Sequence, residues 1–273
     1  MKLFMILVSV LLPATVEAQG PQIFMSKSDL LVAIDAYETS PTVAEVTYGP
    51  IAGWDVSRIT DMSSLFQAKA NFNADISGWD TSSVTDMSNM FNSAAAFNQP
   101  LTFDTSSVTS MRSMFWRAYA FNAPLSLDTS RVSDMWGMFG AFSGFNQPLS
   151  LDTSSVTSIA SMFQQNAAFN QPLSLDTSKV THMLAMFNWA TAFNQPLNLD
   201  TSSVVWMNQM FDNAAAFNQP LSFDTSSVGS MWMMFQVCLA LCPDRPRPLY
   251  GPALRAPSPQ LYTPRVSRPV HRP

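Results

Sequence analysis

Bulky apolar residues return along most of this chain at one fixed spacing, each set in the same polar frame. Asp55, Asp80, Asp104, Asp128, Asp152, Asp176, Asp200 and Asp224 form a series whose first interval is 25 residues and whose other six are 24. Each Asp follows a large apolar residue: Trp54, Trp79, Phe103, Leu127, Leu151, Leu175, Leu199 and Phe223. Eleven residues after each Asp stands a Phe, from Phe66 to Phe235, and six residues later a Phe-Asn pair, from Phe72-Asn73 to Phe217-Asn218. A fixed period of this length marks stacked repeats, in which each unit buries its apolar face only against its neighbours.

Within one unit the pattern changes period. Leu101-Thr102-Phe103 alternates apolar and polar residues, as a half-buried strand does. Pro100 stands at its start, where no ladder donor is needed. Val108, Met111, Met114 and Phe115 then fall at spacings of 3, 3 and 1, the stripe of a short helix. In the preceding unit Ser83 and Asp86 fit a capping box. The expected fold class is an α/β repeat solenoid with one short parallel strand and one short helix per 24-residue coil. Its strands would pair at about 4.8 Å.

The string Trp79-Asp80-Thr81-Ser82-Ser83-Val84-Thr85-Asp86-Met87-Ser88-Asn89-Met90-Phe91, followed by Ala95 and Phe97-Asn98-Gln99-Pro100-Leu101, closely resembles the BspA-like surface-protein repeat. That repeat is a relative of leucine-rich repeats found in bacterial surface proteins, mycoplasma lipoproteins and marine microalgae. The resemblance covers about residues 48–237 and includes the lead-in Tyr48 to Asp55. It implies a leucine-rich-repeat-like solenoid at the cell surface or outside the cell, used for adhesion or recognition. It brings no catalytic residues and no ligand with it.

The two ends read differently from the repeats. Lys2, the apolar run Leu3–Leu12 and Val16-Glu17-Ala18 have the form of a signal peptide over residues 1–18, too short to span a bilayer. Residues 19–50 are expected to form an N-terminal helical cap, carried by the helical pattern of Ser28–Tyr37, and residues 51–237 a solenoid of about eight repeats. Residues 238–273 are rich in Pro and Arg, nine of the last 31 being Pro. Two readings of that segment stand open: a disordered basic tail, or a frame or intron error in a gene prediction. The expected location is secreted, extracellular or at the cell surface, with no membrane span in the mature chain.

Charge narrows the partners. The net charge of −5 hides six arginines against one acid in residues 241–273, which leaves −10 on residues 1–240. An acidic body argues against nucleic acid. Cys238 and Cys242 lie outside the repeats, so disulfides do not staple them. No cofactor and no metal is expected. The Asp column could hold calcium. Capping by each Asp, worth about 1 kcal/mol, already offsets repulsion of about 0.8 kcal/mol between exposed carboxylates 5 Å apart. The Asn column is expected to form an internal ladder, and the Thr column has a faint likeness to the hydroxyl arrays of ice-binding solenoids. The two His, His182 and His271, are isolated, and no nucleophile-base arrangement or phosphate loop exists, so no enzyme is expected.

Positions that break the repeat carry the candidate binding surface. After the first Met of each stripe come Ser88, Arg112, Trp136, Ala160, Leu184, Asn208 and Trp232. After the Phe come Asn92, Trp116, Gly140, Gln164, Asn188, Asp212 and Gln236. With Trp189 and Trp206 these positions give the candidates Arg112, Trp116, Trp136, Trp189, Trp206 and Trp232. All lie off the apolar stripe, and exposed Trp and Arg are common hot spots. Arg112 and Trp116, four apart, would stack on one helix face. The expected role is a binding or adhesion module for an extracellular protein or glycan. A structural part of a matrix or wall is the alternative, and neutral drift on an uncritical face would also leave such a pattern.

Overall fold

A computed structural model describes residues 22–141 and 144–236. The expected signal peptide, the Pro/Arg-rich segment and both Cys lie outside the described residues. Helix α1, Lys27–Thr39, starts where Ser26 accepts the Asp29 N–H through its hydroxyl at 3.2 Å. It stops at Ser40, because Pro41 disfavours helical backbone in the residue before it. Pro41 then opens α2, Pro41–Tyr48, at a position where its missing N–H costs nothing. Leu30, Ala33 and Ile34 bury one face of α1. Tyr37 meets Trp54 and Phe72 edge-on, with centroids 6.4 and 6.5 Å apart. Lys27 pairs with Asp61 at 3.0 Å, and Lys69 with Asp35. The two helices thus lie against the first coil.

Each following coil is built differently from the expected strand and helix. In the coil that starts at Asp80, Val84, Met87, Met90, Phe91 and Ala94 are all fully buried, so the apolar stripe points inward. The backbone that carries it is a run of tight turns. Met90, Asn92 and Ala94 donate their N–H groups three residues back, to Met87, Asn89 and Phe91 carbonyls at 3.0–3.2 Å. Asn89 and Ser93 take left-handed φ values of 57° and 61°. The intervening N–H groups of Met87, Asn89, Phe91 and Ser93 leave the coil and reach the carbonyls of Ser110, Arg112, Met114 and Trp116 at 2.7–3.1 Å. Alternate donors therefore serve the coil and its neighbour. A true α-helix would spend every donor within its own turn sequence. The expected capping box is also absent: Asp86 instead accepts the Ser88 N–H at 2.7 Å.

The expected parallel strand at Leu-x-Leu is likewise corrected. That segment carries only scattered bridges, such as Leu101↔Leu125, whereas an unbroken parallel series runs Asp61↔Asp86↔Ser110↔Asp134↔Ser158↔His182↔Trp206↔Ser230. Pro at 100, 124, 148, 172, 196 and 220 takes away a donor beside each Leu-x-Leu segment. Side chains make the link there. Asn98, Asn122, Asn146, Asn170, Asn194 and Asn218 each donate their backbone N–H to the Oδ1 of the Asn one coil earlier, at 2.8–2.9 Å.

Two columns of Phe fill the interior. Phe66, Phe91, Phe115, Phe139, Phe163, Phe187, Phe211 and Phe235 stack with centroids 5.4–5.7 Å apart and planes within 4–11°. The second column, Phe72 to Phe217, runs beside it, and the two rings of one coil approach to 3.9–4.3 Å. The widest step in the second column is 6.4 Å, between Phe145 and Phe169. There Asn166 stands where four coils carry Ala94, Ala118, Ala190 and Ala214. Fully buried, it bonds Phe145 O at 3.1 Å and accepts from the Ala168 and Phe169 N–H groups at 3.2 Å.

Candidate binding face

Residues six after each Asp of the series sit at least partly exposed on the outward side of the turn run, whereas those eight and twelve after it vary, Ala160, Gly140, Asn188 and Asp212 being buried. The structure joins three of the six candidates and leaves three separate. The Arg112 guanidinium lies 4.2 Å from the Trp136 ring centre and 3.4 Å from Asp134 Oδ2. Trp116 stacks on Trp136 with centroids 5.2 Å apart and planes 18° from parallel. The expected Arg112–Trp116 stack across four residues does not form. Without a helix, the neighbour of a surface residue is found in the next coil, not four residues ahead.

Two glycines seat Trp116. A Cβ on Gly140 would come within 2.5 Å of the indole, and one on Gly137 within 2.8 Å. Other coils carry Ser, Asn, Ala, Gln or Met where Gly137 stands. The reading of residues one by one missed this seat and missed Asp134. The signal was present, since three of the nine glycines (Gly137, Gly140, Gly144) fall in one coil. The result is a half-buried cluster in which each partner answers another.

Trp189, Trp206 and Trp232 stand apart from that cluster and are 51%, 42% and 58% exposed. Trp206 pairs through the backbone with His182 on one side and Ser230 on the other. Trp232 lies two residues past Ser230, and its N–H bonds Asn208 Oδ1 at 3.1 Å. His182 shares a hydrogen bond of 2.8 Å with Thr181 Oγ1. Tyr119, half exposed, is a further outward aromatic that sequence reading passed over.

The regular polar columns are occupied by structural bonds. Each Asp of the series accepts the N–H of the Ser two residues on, at 2.9–3.1 Å. In the case of Asp104, the Ser106 hydroxyl at 2.7 Å and then its N–H hold the carboxyl below its ordinary range. The Thr column is buried. Thr81, Thr105, Thr129, Thr177 and Thr201 donate to the Asp carbonyl of the next coil at 2.8–2.9 Å. These hydroxyls therefore present no array to water or ice. Among the described residues no three His, Cys, Asp or Glu side chains converge as metal ligands, and no helix is long and apolar enough to cross a membrane.

Stacked coils with inward Phe columns and an outward, variable aromatic face define a tandem-repeat protein. The chain belongs to the family described as "Mycoplasma protein of unknown function, DUF285", which matches residues 34–150, 126–199 and 174–244. No curated protein and no solved structure matches the chain.

Proposed function

We propose that this protein is a leucine-rich-repeat-like solenoid of the BspA-like kind, exported to the cell surface or beyond, that binds a partner through its outward aromatic face. The observation that supports this most is the exposure of Trp189, Trp206 and Trp232 at 51%, 42% and 58% on a stack whose other described large apolar side chains, Tyr119 apart, are buried or part-buried. Bare indoles lower solubility and add nothing to the core, whereas at an interface they supply large rigid contact area. The constructed seat of Trp116 on Gly137 and Gly140 also argues against drift on that face. The role is binding and not catalysis.

The test is retention of the labelled full chain on cells or extracellular matrix of its source. The triple variant Trp189→Ala, Trp206→Ala, Trp232→Ala should lose about tenfold or more in affinity and keep the wild-type melting temperature. Equal retention of the variant and the wild type would reject the aromatic face as the site.

A further inference from the structure

One end of the variable face differs in chemistry from the other. In the early coils the sixth residue after the Asp caps the turn: Asp61, Asp86 and Asp134 accept the N–H two residues on at 2.7–2.8 Å. In the later coils His182 and Trp206 occupy that position. Neither offers a short acceptor to its own turn, and Trp206 puts an indole into water instead. A residue that gives up a cap and gains no burial is unfavourable for folding alone.

The same coils have also lost their charges. Residues 180–187, 204–211 and 228–235, like 156–163 before them, contain no Asp, Glu, Lys or Arg, whereas the matching stretches of the first four coils carry Asp61, Asp86, Arg112 and Asp134. What remains around the indoles is neutral and can both donate and accept. Asn208 Oδ1 takes the Trp232 N–H at 3.1 Å, which leaves its amide N–H₂ to donate. His182 uses Nδ1 toward Thr181, which leaves its second ring nitrogen. Ser230 contributes a part-exposed hydroxyl.

We infer that the uncharged patch of His182, Leu184, Trp206, Asn208 and Trp232 binds a neutral polysaccharide. This rests on the reading of the chain as a binding module and names the class of its ligand. A sugar ring has an apolar C–H face that lies flat on an indole and a rim of hydroxyls that need neutral donors and acceptors. Two indoles on adjacent coils, with the Asn208 amide and Ser230 hydroxyl on the same two coils and the His182 imidazole on the coil before Trp206, match that combination. An anionic lipid surface would call for Lys or Arg. A steered protein partner would call for complementary charge at the rim. The patch has neither.

Native affinity gels decide the matter. The full chain is run in gels containing a soluble β-glucan, a xylan or a galactomannan, and in a parallel gel containing anionic alginate. At least one neutral gel should slow it. Trp206→Ala with Trp232→Ala should raise the apparent dissociation constant about tenfold or more without changing the melting temperature. Val43→Ala, on the exposed face of α2, should run as wild type. Passage unslowed through every neutral gel, slowing only in alginate, or slowing that survives the double substitution would each overturn the assignment. Adhesion to cells that depends on Trp206 and Trp232, without slowing in neutral gels, would overturn the glycan and leave the binding module standing. Loss of both would end both readings.

Discussion

Single side chains hold this stack in three separate ways, and each can be tested on its own. Phe121 is fully buried between Phe97 and Phe145, with centroids 5.9 Å away on both sides. Phe121→Ala should cost about 3–5 kcal/mol in chemical denaturation, since a rigid column cannot collapse into the void. Asn170 works as an acceptor: its Oδ1 takes the Asn194 N–H at 2.9 Å and the Gln195 amide at 3.2 Å. Asn170→Ala should therefore cost about 1 kcal/mol, and Asn170→Asp, which keeps the oxygen, markedly less. Carboxylates supply the third way, with two opposite signs. The repeat Asp carboxyls, from Asp55 to Asp224, are held below their ordinary range, chiefly by bonds from Ser. Their stabilisation is complete above the unfolded value of 3.8 and is lost as pH falls through the depressed folded values. Asp212 is the reverse: burial raises its pKa, so its ionised form opposes folding as pH rises. The melting temperature should fall on acidification below about pH 4. Asp212→Asn should raise it at neutral pH and leave it unchanged once Asp212 is protonated.

Elements show where sequence reading reached and where it stopped. The inward set Val84, Met87, Met90, Phe91 and the ladder of Asn residues were legible, because periodicity reports which side chains share a side. The nature of the backbone was not. Spacings of 3, 3 and 1 suit one helical turn and a pair of tight turns equally well, and a segment of this length is too short for propensity to decide. The choice falls to the hydrogen bonds: turns release alternate N–H groups to the next coil, and those bonds exist only when the neighbour is in place. The same blindness explains Arg112, whose partners Trp136 and Asp134 come from the adjacent coil. The turns have a measurable consequence. Among the described residues fourteen non-glycine residues hold positive φ, Ala68 at 61° among them. Left-handed backbone costs an L-residue about 1–2 kcal/mol, while glycine adopts it freely. Ala68 is exposed, so Ala68→Gly should stabilise the protein by up to about 1 kcal/mol, read as a higher denaturation midpoint. In a helix the same change would destabilise by a similar amount, which makes the sign of the result a direct test of the backbone described here.

For the molecule as a whole, the direction of the stack matters as much as its period. Seventh, ninth and eleventh N–H groups of each coil from Asp55 to Asp200 point forward to the carbonyls of the next, as from Met183, Ala185 and Phe187 to Trp206, Asn208 and Met210. Other N–H groups point back, as from Thr181 to the Thr157 carbonyl and from Asn194 to the Asn170 side chain, so the two sides of a coil present different but matching sets of donors and acceptors. Removing one whole unit leaves those two sides able to meet, whereas removing half a unit sets Phe against polar turn residues. Excision of residues 177–200 would bring Asp176 to Thr201, place Phe163 beside Phe211, and set the Asn170 side chain to receive the Asn218 N–H. That protein should fold and unfold in a single transition, with a denaturant slope lower by about one eighth, in proportion to the surface lost. Excision of residues 177–188 should give no cooperative transition at all, because no register then restores both the Phe columns and the forward bonds. Near-ultraviolet circular dichroism, which senses packed Phe and Trp, distinguishes the two. A half-unit deletion that kept a native-like aromatic spectrum would show that the coils do not depend on their neighbours for backbone pairing.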